Sequence, residues 1–373
     1  MPPLSELHQR RSDKWAGYDP DVIVATIAEM DFPIAPPIAD ALHAAIDRHD
    51  VGYAPANVSR LVEAFAGFAD RRLGWTVDPA QAVLVPDVML GALALARLLA
   101  GPSRAIAFAT PAYPPFLAEP PYYGLAIREV PLRPDASLDL DALQAELTAG
   151  TRVLIVANPH NPTGRVLPKA ELAQIAELSA AHDGWVIADE IHAPLTLPGC
   201  RHTPWLEVSD AARECGFALT SASKAFNLAG LKAALVVTAA DRTRRLAANL
   251  PPLSDHTGLF GVIASEVAFT ECDEWLDAVL EQLDANRTLL STQLSRHLPA
   301  VVWTPPQATY LAWLDFRALG LGEATTETLL ARARVALSPG PHYGRSGAGF
   351  ARLNFGTSPD LVAEMIRRIA ERM

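Results

Sequence analysis

Cysteine is scarce: Cys200, Cys215 and Cys272 are the only 3 in 373 residues, and no Cys-x-x-Cys pair occurs. That excludes a disulfide framework and a structural zinc site, and it points to a reducing, cytoplasmic setting. No apolar run approaches the ~18 residues of a membrane span; the nearest, residues 88–100, contains Arg97 and reads as a buried helix. The start of the chain carries charge from Glu6 onward and shows no apolar signal core. No block of basic residues relieves the formal charge of −11, so a nucleic-acid partner is not expected. The 10 histidines include no His-x-x-x-His pair, and no metal site is expected.

What is present is apolar and evenly punctuated. Half the residues are hydrophobic, and the 31 prolines and 22 glycines are spread along the chain, so the sequence reads as globular with roughly two domains. Short apolar, β-branched runs at 82–85, 104–109, 152–157, 185–188, 217–220 and 234–238 alternate with helical stretches such as 140–147 and 171–181. That alternation predicts βαβ units and a mainly parallel sheet. Beyond about residue 270 the pattern becomes a long amphipathic helix around 271–297, a strand at 309–315, a helix near 325–334 and a closing helix from Asp360. The expected organisation is an extended arm over 1–40 that contributes to the small domain, a large α/β domain over 41–270 and a smaller α+β domain over 271–373.

Ligands of an open parallel sheet bind at the carboxyl ends of its strands. Three neighbouring strand ends here carry Asn158-Pro159-His160-Asn161-Pro162-Thr163-Gly164, Asp189-Glu190-Ile191-His192 and Ser221-Ala222-Ser223-Lys224. A lysine just after a buried strand is desolvated toward its neutral, nucleophilic form, which suits Schiff-base chemistry. A carboxylate beside it suits a protonated ring nitrogen, and an amide suits a ring oxygen. Together Lys224, Asp189 and Asn161 point to pyridoxal phosphate. For its phosphate, the run Asp87–Ala92 follows a strand and opens a helix, with Ser221, Ser223 and Lys232 as further partners. The Ser-x-x-Lys of penicillin-binding enzymes is also matched at Ser221–Lys224, but no Lys-Thr-Gly follows and Ser254-Asp255-His256 is not their Ser-Asp-Asn. Gly344-Arg345-Ser346-Gly347-Ala348-Gly349 lacks nucleotide-loop spacing and reads as a mobile loop leading to Arg352.

These motifs resemble the fold-type I pyridoxal phosphate enzymes of the aminotransferase class I/II superfamily, and within it the PatB/MalY group of cystathionine β-lyases. The likeness runs through Ala28-Glu29-Met30-Asp31-Phe32, Val51-Gly52-Tyr53, Thr110–Phe116, the strand-end motifs, Tyr310–Arg317 and Ala351–Phe355. The resemblance implies a transferase-like fold in which Lys224 bonds the cofactor and then acts as base at Cα. Asp189 would face the pyridine nitrogen, Asn161 the ring hydroxyl, and Tyr113 would stack on the ring. Val88, Met89, Ser221, Ser223 and Lys232 would hold the phosphate, with Tyr53 reaching it from the second subunit of a homodimer. Arg352 would clamp the substrate carboxylate, with Asn161 and Asp31 beside the substrate. Two departures stand out: Asp87 where the phosphate turn usually has glycine, and His192 where aminotransferases commonly place tyrosine, a change that favours a lyase. The implied reaction is β-elimination of a thiol from cystathionine or another cysteine S-conjugate. An aminotransferase is the alternative. A regulatory protein that keeps the fold is a third reading, and the full catalytic set argues against it.

Overall fold

The computed structural model describes every residue except Ala56, and among the described residues 12 strands form two sheets. In chain order these are β1 (Ile23–Ala25), β2 (Ala82–Val85), β3 (Ala105–Thr110), β4 (Ala126–Pro131), β5 (Val153–Ala157) and β6 (Trp185–Asp189). There follow β7 (Gly216–Thr220), β8 (Ala234–Val237), β9 (Val302–Trp303), β10 (Leu311–Asp315), β11 (Val335–Pro339) and β12 (Phe350–Asn354).

The larger sheet has the order β2-β8-β7-β6-β5-β3-β4. Strand β8 is antiparallel to both of its neighbours, and the remaining pairs are parallel. The six expected apolar runs are its strands, with ends shifted by a residue where they differ. They are buried almost throughout because helices cover both faces. The seventh strand, β4, carries Arg128 and Glu129 on a half-exposed edge, so it shows no apolar run to read. Strand direction is equally silent in an apolar run, and the reversal of β8 emerges only from pairing.

The second sheet has the order β1-β11-β12-β10-β9. Strand β1 pairs in parallel with β11, placing the first residues of the chain in this sheet. The arm is therefore more ordered than expected: it holds a short helix, Leu4–Leu7, and β1. Pro36 and Pro37, which fall in the expected extended arm, instead open the helix Pro36–Asp47, where the fixed φ of Pro36 suits the first helical turn. The long helix runs Asp273–His297 and buries Leu276, Val279, Leu283, Asn286, Leu290 and Leu294, a three-and-four spacing that lines one face. Asn286 donates from Nδ2 to the carbonyls of Phe355 and Thr357 at 2.9 and 2.7 Å, tying the exit of β12 to that helix. No helix among the described residues is long and apolar enough to cross a membrane.

Candidate active site

Strands β5, β6 and β7 are parallel neighbours, so their carboxyl ends open on one edge, with Ala157 opposite Asp189 and Asp189 opposite Leu219. The loop after β5 is shaped by its own polar groups. The amide of Asn158 donates to the Asp189 carbonyl at 2.9 Å, and Asn158 Oδ1 accepts from Leu167 N at 2.9 Å. Gly164 turns at φ +67°, where a Cβ would lie 2.3 Å from Pro306 Cβ. This brings Asn161 back over the sheet edge. After β7, Ser221 caps the short helix Ala222–Ala225 that carries Lys224. Phe226 anchors that helix, fully buried against Phe68 and Phe269.

Lys224 donates from Nζ to the Ala28 carbonyl at 3.1 Å. Burial, and then the charge of Arg352, bring its pKa from 10.5 down to about 8, while Glu29 and Asp189 pull it upward. Asp189 is pushed up to about 6 by burial, opposed by the Ile191 amide at 3.1 Å and by the Lys224 charge. It remains mostly ionised at neutral pH. His192 is buried, and desolvation followed by the charges of Lys224 and Arg352 brings it down to about 3, so its imidazole is neutral. Its Nδ1 has no partner among the described residues. The Tyr113 phenol is held protonated, pushed up to about 12 by burial and then by the Asp189 charge.

One cavity of about 370 Å³ gathers Lys224, Asp189, Asn161, Tyr113, His192, Val88, Met89, Ser221, Ser223 and Lys232. Helix Val88–Leu99 begins at its wall, and Gly91 lets that helix sit close to the sheet: a Cβ there would lie 3.1 Å from Val85 Cγ2. Asp87 caps the helix by accepting from Leu90 N at 2.8 Å, leaving the first-turn amides of Val88 and Met89 for an anion. The second oxygen of Asp87 pairs with Lys232 Nζ at 3.1 Å. The acid in the phosphate turn is thus both a cap and a counter-ion. Ser221 is already committed, donating to the Ala233 carbonyl at 2.6 Å. The chemistry of this donor set fits pyridoxal phosphate: an amine of lowered pKa, a buried carboxylate, an amide and a helix start with a lysine beside it.

Arg352 lies on β12 and faces an adjoining cavity of about 690 Å³ that shares Ala28, Tyr113 and Lys224 with the first. It is 4% exposed. Its Nη1 donates to Asn161 Oδ1 at 3.0 Å and its Nη2 to the Thr26 carbonyl at 2.8 Å, with the guanidinium over the Tyr343 ring at 5.2 Å. Its Nε is buried and has no partner among the described residues.

Asp31 lies elsewhere, while Tyr53, expected to act in the site of a second subunit, lies on the surface of its own chain. Asp31 lines neither cavity: it is 1% exposed and accepts at Oδ1 from Lys14 Nζ at 2.9 Å and Trp15 Nε1 at 3.0 Å. The correction has a physical reason, since a buried carboxylate keeps its charge only beside a cation, and Lys14 supplies it. Asp31 anchors the arm. Tyr53 is 91% exposed on the chain's own surface and lines neither cavity. Conversely, sequence reasoning passed over the carbonyls of Thr26 and Ala28, which leave no mark in a sequence. Glu119, which lines the first cavity, and Tyr310, at the start of the Tyr310–Arg317 run, also carry no local signal of a role.

The chain matches the family model for aminotransferase class I and II over residues 20–369. It is 39% identical to a Mycobacterium leprae (strain TN) protein assigned as a cystathionine beta-lyase, covering 99% of this chain and 96% of that one. It is 34% identical to the cystathionine beta-lyase of Corynebacterium glutamicum, covering 99% of each. The solved structure of a Corynebacterium diphtheriae protein assigned to the PLP-dependent beta-cystathionases superposes with a TM-score of 0.94 at 32% identity, covering 100% of this chain and 98% of that one.

Proposed function

This chain belongs to the aminotransferase class I and II family, and from that membership we propose a pyridoxal-phosphate-dependent carbon–sulfur β-lyase that cleaves L-cystathionine or another cysteine S-conjugate to a thiol, pyruvate and ammonia. The observation that carries the reading is that Lys224 and Arg352 open on one cavity, which leads directly into the one lined by Asp189 and Asn161.

When bound, pyridoxal phosphate supplies an electron sink for charge developing at the substrate Cα. Lys224 would hold the cofactor, and Asp189 would serve its ring nitrogen as a carboxylate. Asn161 has its Oδ1 turned to Arg352, because a guanidinium only donates, so its Nδ2 is the donor left for the ring oxygen. The amides of Val88 and Met89, with Ser223 and Lys232, hold the phosphate. Arg352 takes the substrate α-carboxylate and so orients the Cα–H bond toward Lys224. With its pKa lowered, the Lys224 amine removes that proton at Nζ. The Cβ–S bond then breaks with its electron pair leaving on sulfur, and the three-carbon fragment hydrolyses to pyruvate and ammonia. His192 lines the cavity at the position where the resemblance gives aminotransferases a tyrosine, which favours the lyase reading.

The working unit in this reading is a cytoplasmic homodimer. Ile46, Val51 and Tyr53 are large apolar side chains left 50%, 69% and 91% exposed within one short stretch of chain, which supports a second copy covering them. Residues 41–270 would carry the cofactor, and the arm with residues 271–373 would close over the substrate.

The test incubates purified holoenzyme with L-cystathionine, with and without a 2-oxo acid, and quantifies thiol, pyruvate and new amino acid. Equal thiol and pyruvate without the oxo acid is the expected result. Amino transfer that depends on the oxo acid, with no thiol, would overturn the lyase reading in favour of an aminotransferase.

A further inference from the structure

The Ala28 carbonyl accepts two side-chain hydrogen bonds. Lys224 Nζ donates to it at 3.1 Å from the cavity, and Tyr310 Oη donates to it at 2.8 Å from the core. Tyr310 is fully buried and lines neither cavity, so it touches neither cofactor nor substrate. We propose that Tyr310 is a positioning residue that acts through the Ala28 carbonyl to set where the Lys224 amine rests and how readily it holds a proton. The inference rests on the reading of Lys224 as the amine that bonds the cofactor.

The geometry of the arm makes this connection stiff. Ala28 lies in a segment whose neighbours are held on both sides: Asn354 Nδ2 donates to the carbonyls of Ile27 and Glu29, each at 2.7 Å. Asn227 accepts from Met30 N at 2.9 Å and donates to Met30 O at 2.8 Å. The Ala28 carbonyl therefore stays in place when one of its two donors changes. A carbonyl oxygen shares its electron density between its donors, so a phenol bonded to it weakens it as an acceptor for an ammonium. Tyr310 remains a donor throughout the working range, because burial raises its pKa above the ordinary tyrosine value.

The role matters when Lys224 is free of the cofactor and has taken up the Cα proton, as the Ala28 carbonyl is then the acceptor in reach of the ammonium. Too strong an acceptor would keep the proton on Nζ; too weak a one would leave the amine unplaced. The other charged and titratable groups facing Lys224 are Arg352, Lys232, Glu29, Asp189 and His192. Of these, the His192 ring packs edge-on against the Tyr310 ring at 6.1 Å, a contact that both Tyr310→Phe and 3-fluorotyrosine keep because each retains the ring.

The experiment first reduces the holoenzyme with borohydride and maps the modified peptide. A cofactor fixed on a lysine other than Lys224 would sink the active-site reading itself, separately from this inference. Cofactor-free protein prepared from the holoenzyme is then labelled with acetic anhydride across a pH series, and the half-point for acetylation of Lys224 is read by peptide mass spectrometry. Tyr310→Phe removes the competing donor and is expected to move the half-point upward by about half a unit, roughly threefold in the protonation equilibrium. Replacing Tyr310 with 3-fluorotyrosine, a stronger donor of nearly the same shape that keeps the fold, is expected to move it downward. A loosened arm would shift both variants the same way. Shifts of the same sign, or a half-point common to all three proteins, would overturn the proposal.

Discussion

Asn161 and Arg352, 191 residues apart in the chain, are joined by a 3.0 Å hydrogen bond from Nη1 to Oδ1 across the boundary between the two cavities. The same guanidinium donates to the Thr26 carbonyl, so three distant segments meet at one side chain. An incoming α-carboxylate finds a cation already oriented, with Nε unpaired. Arg352→Ala is expected to lower kcat/KM for L-cystathionine by roughly ten- to a hundredfold, the loss of a charge-assisted bond of about 1.5–3 kcal/mol, mainly through KM. Steady-state kinetics checks this, and an unchanged KM would remove Arg352 from the substrate site.

The Lys224 amine sits at about 8 rather than 10.5, because the folded site disfavours its charge. Only the neutral amine attacks an aldehyde, so the rate of pyridoxal phosphate recombination with cofactor-free protein is expected to rise with pH and level off just above 8. A rate still climbing steeply toward 10.5 would show that the lysine is solvated. Stopped-flow absorbance provides the measurement.

Asp31 and Lys14 form an ion pair with each side chain 1% exposed. Removing one member strands the other charge in the core, so Asp31→Ala is expected to cost about 3–5 kcal/mol of unfolding free energy. Urea denaturation reads the loss. The substrate-binding role first expected of Asp31 makes the opposite forecast, an intact stability with a raised KM.

Asp87 faces the place of the phosphate while also capping helix Val88–Leu99 and pairing with Lys232. Asparagine caps about as well as aspartate but carries no charge. Asp87→Asn should therefore keep the melting temperature and tighten cofactor binding several-fold, more at low salt than at high salt. Fluorescence titration with pyridoxal phosphate at two ionic strengths tests it, and weaker binding would mean that Asp87 orients Lys232 more than it repels the anion.

The legible part of this molecule is the part built from neighbours in sequence. Apolar runs of the right length marked six of the seven strands of the large sheet. The groups at three of their carboxyl ends stood out because Asp189 follows directly on such a run and Asn161 and Lys224 each come four residues after one. Strand β4 escaped because an edge strand with Arg128 and Glu129 buries little, and the opening of helix Pro36–Asp47 escaped because proline suits both a first helical turn and an extended arm.

By itself, then, the sequence determined the sheet that bears the site and the amine, acid and amide at its edge, since strand period and strand ends are local properties of the chain. The tertiary structure alone decided which partners each of them has. It turned Asp31 from the substrate to Lys14, set Asn161 against Arg352, and placed the carbonyls of Thr26 and Ala28 beside Arg352 and Lys224. Every residue carries the same carbonyl, so no sequence marks the one that folding will bring beside a lysine; long-range packing and the demand that buried charges find partners make that choice.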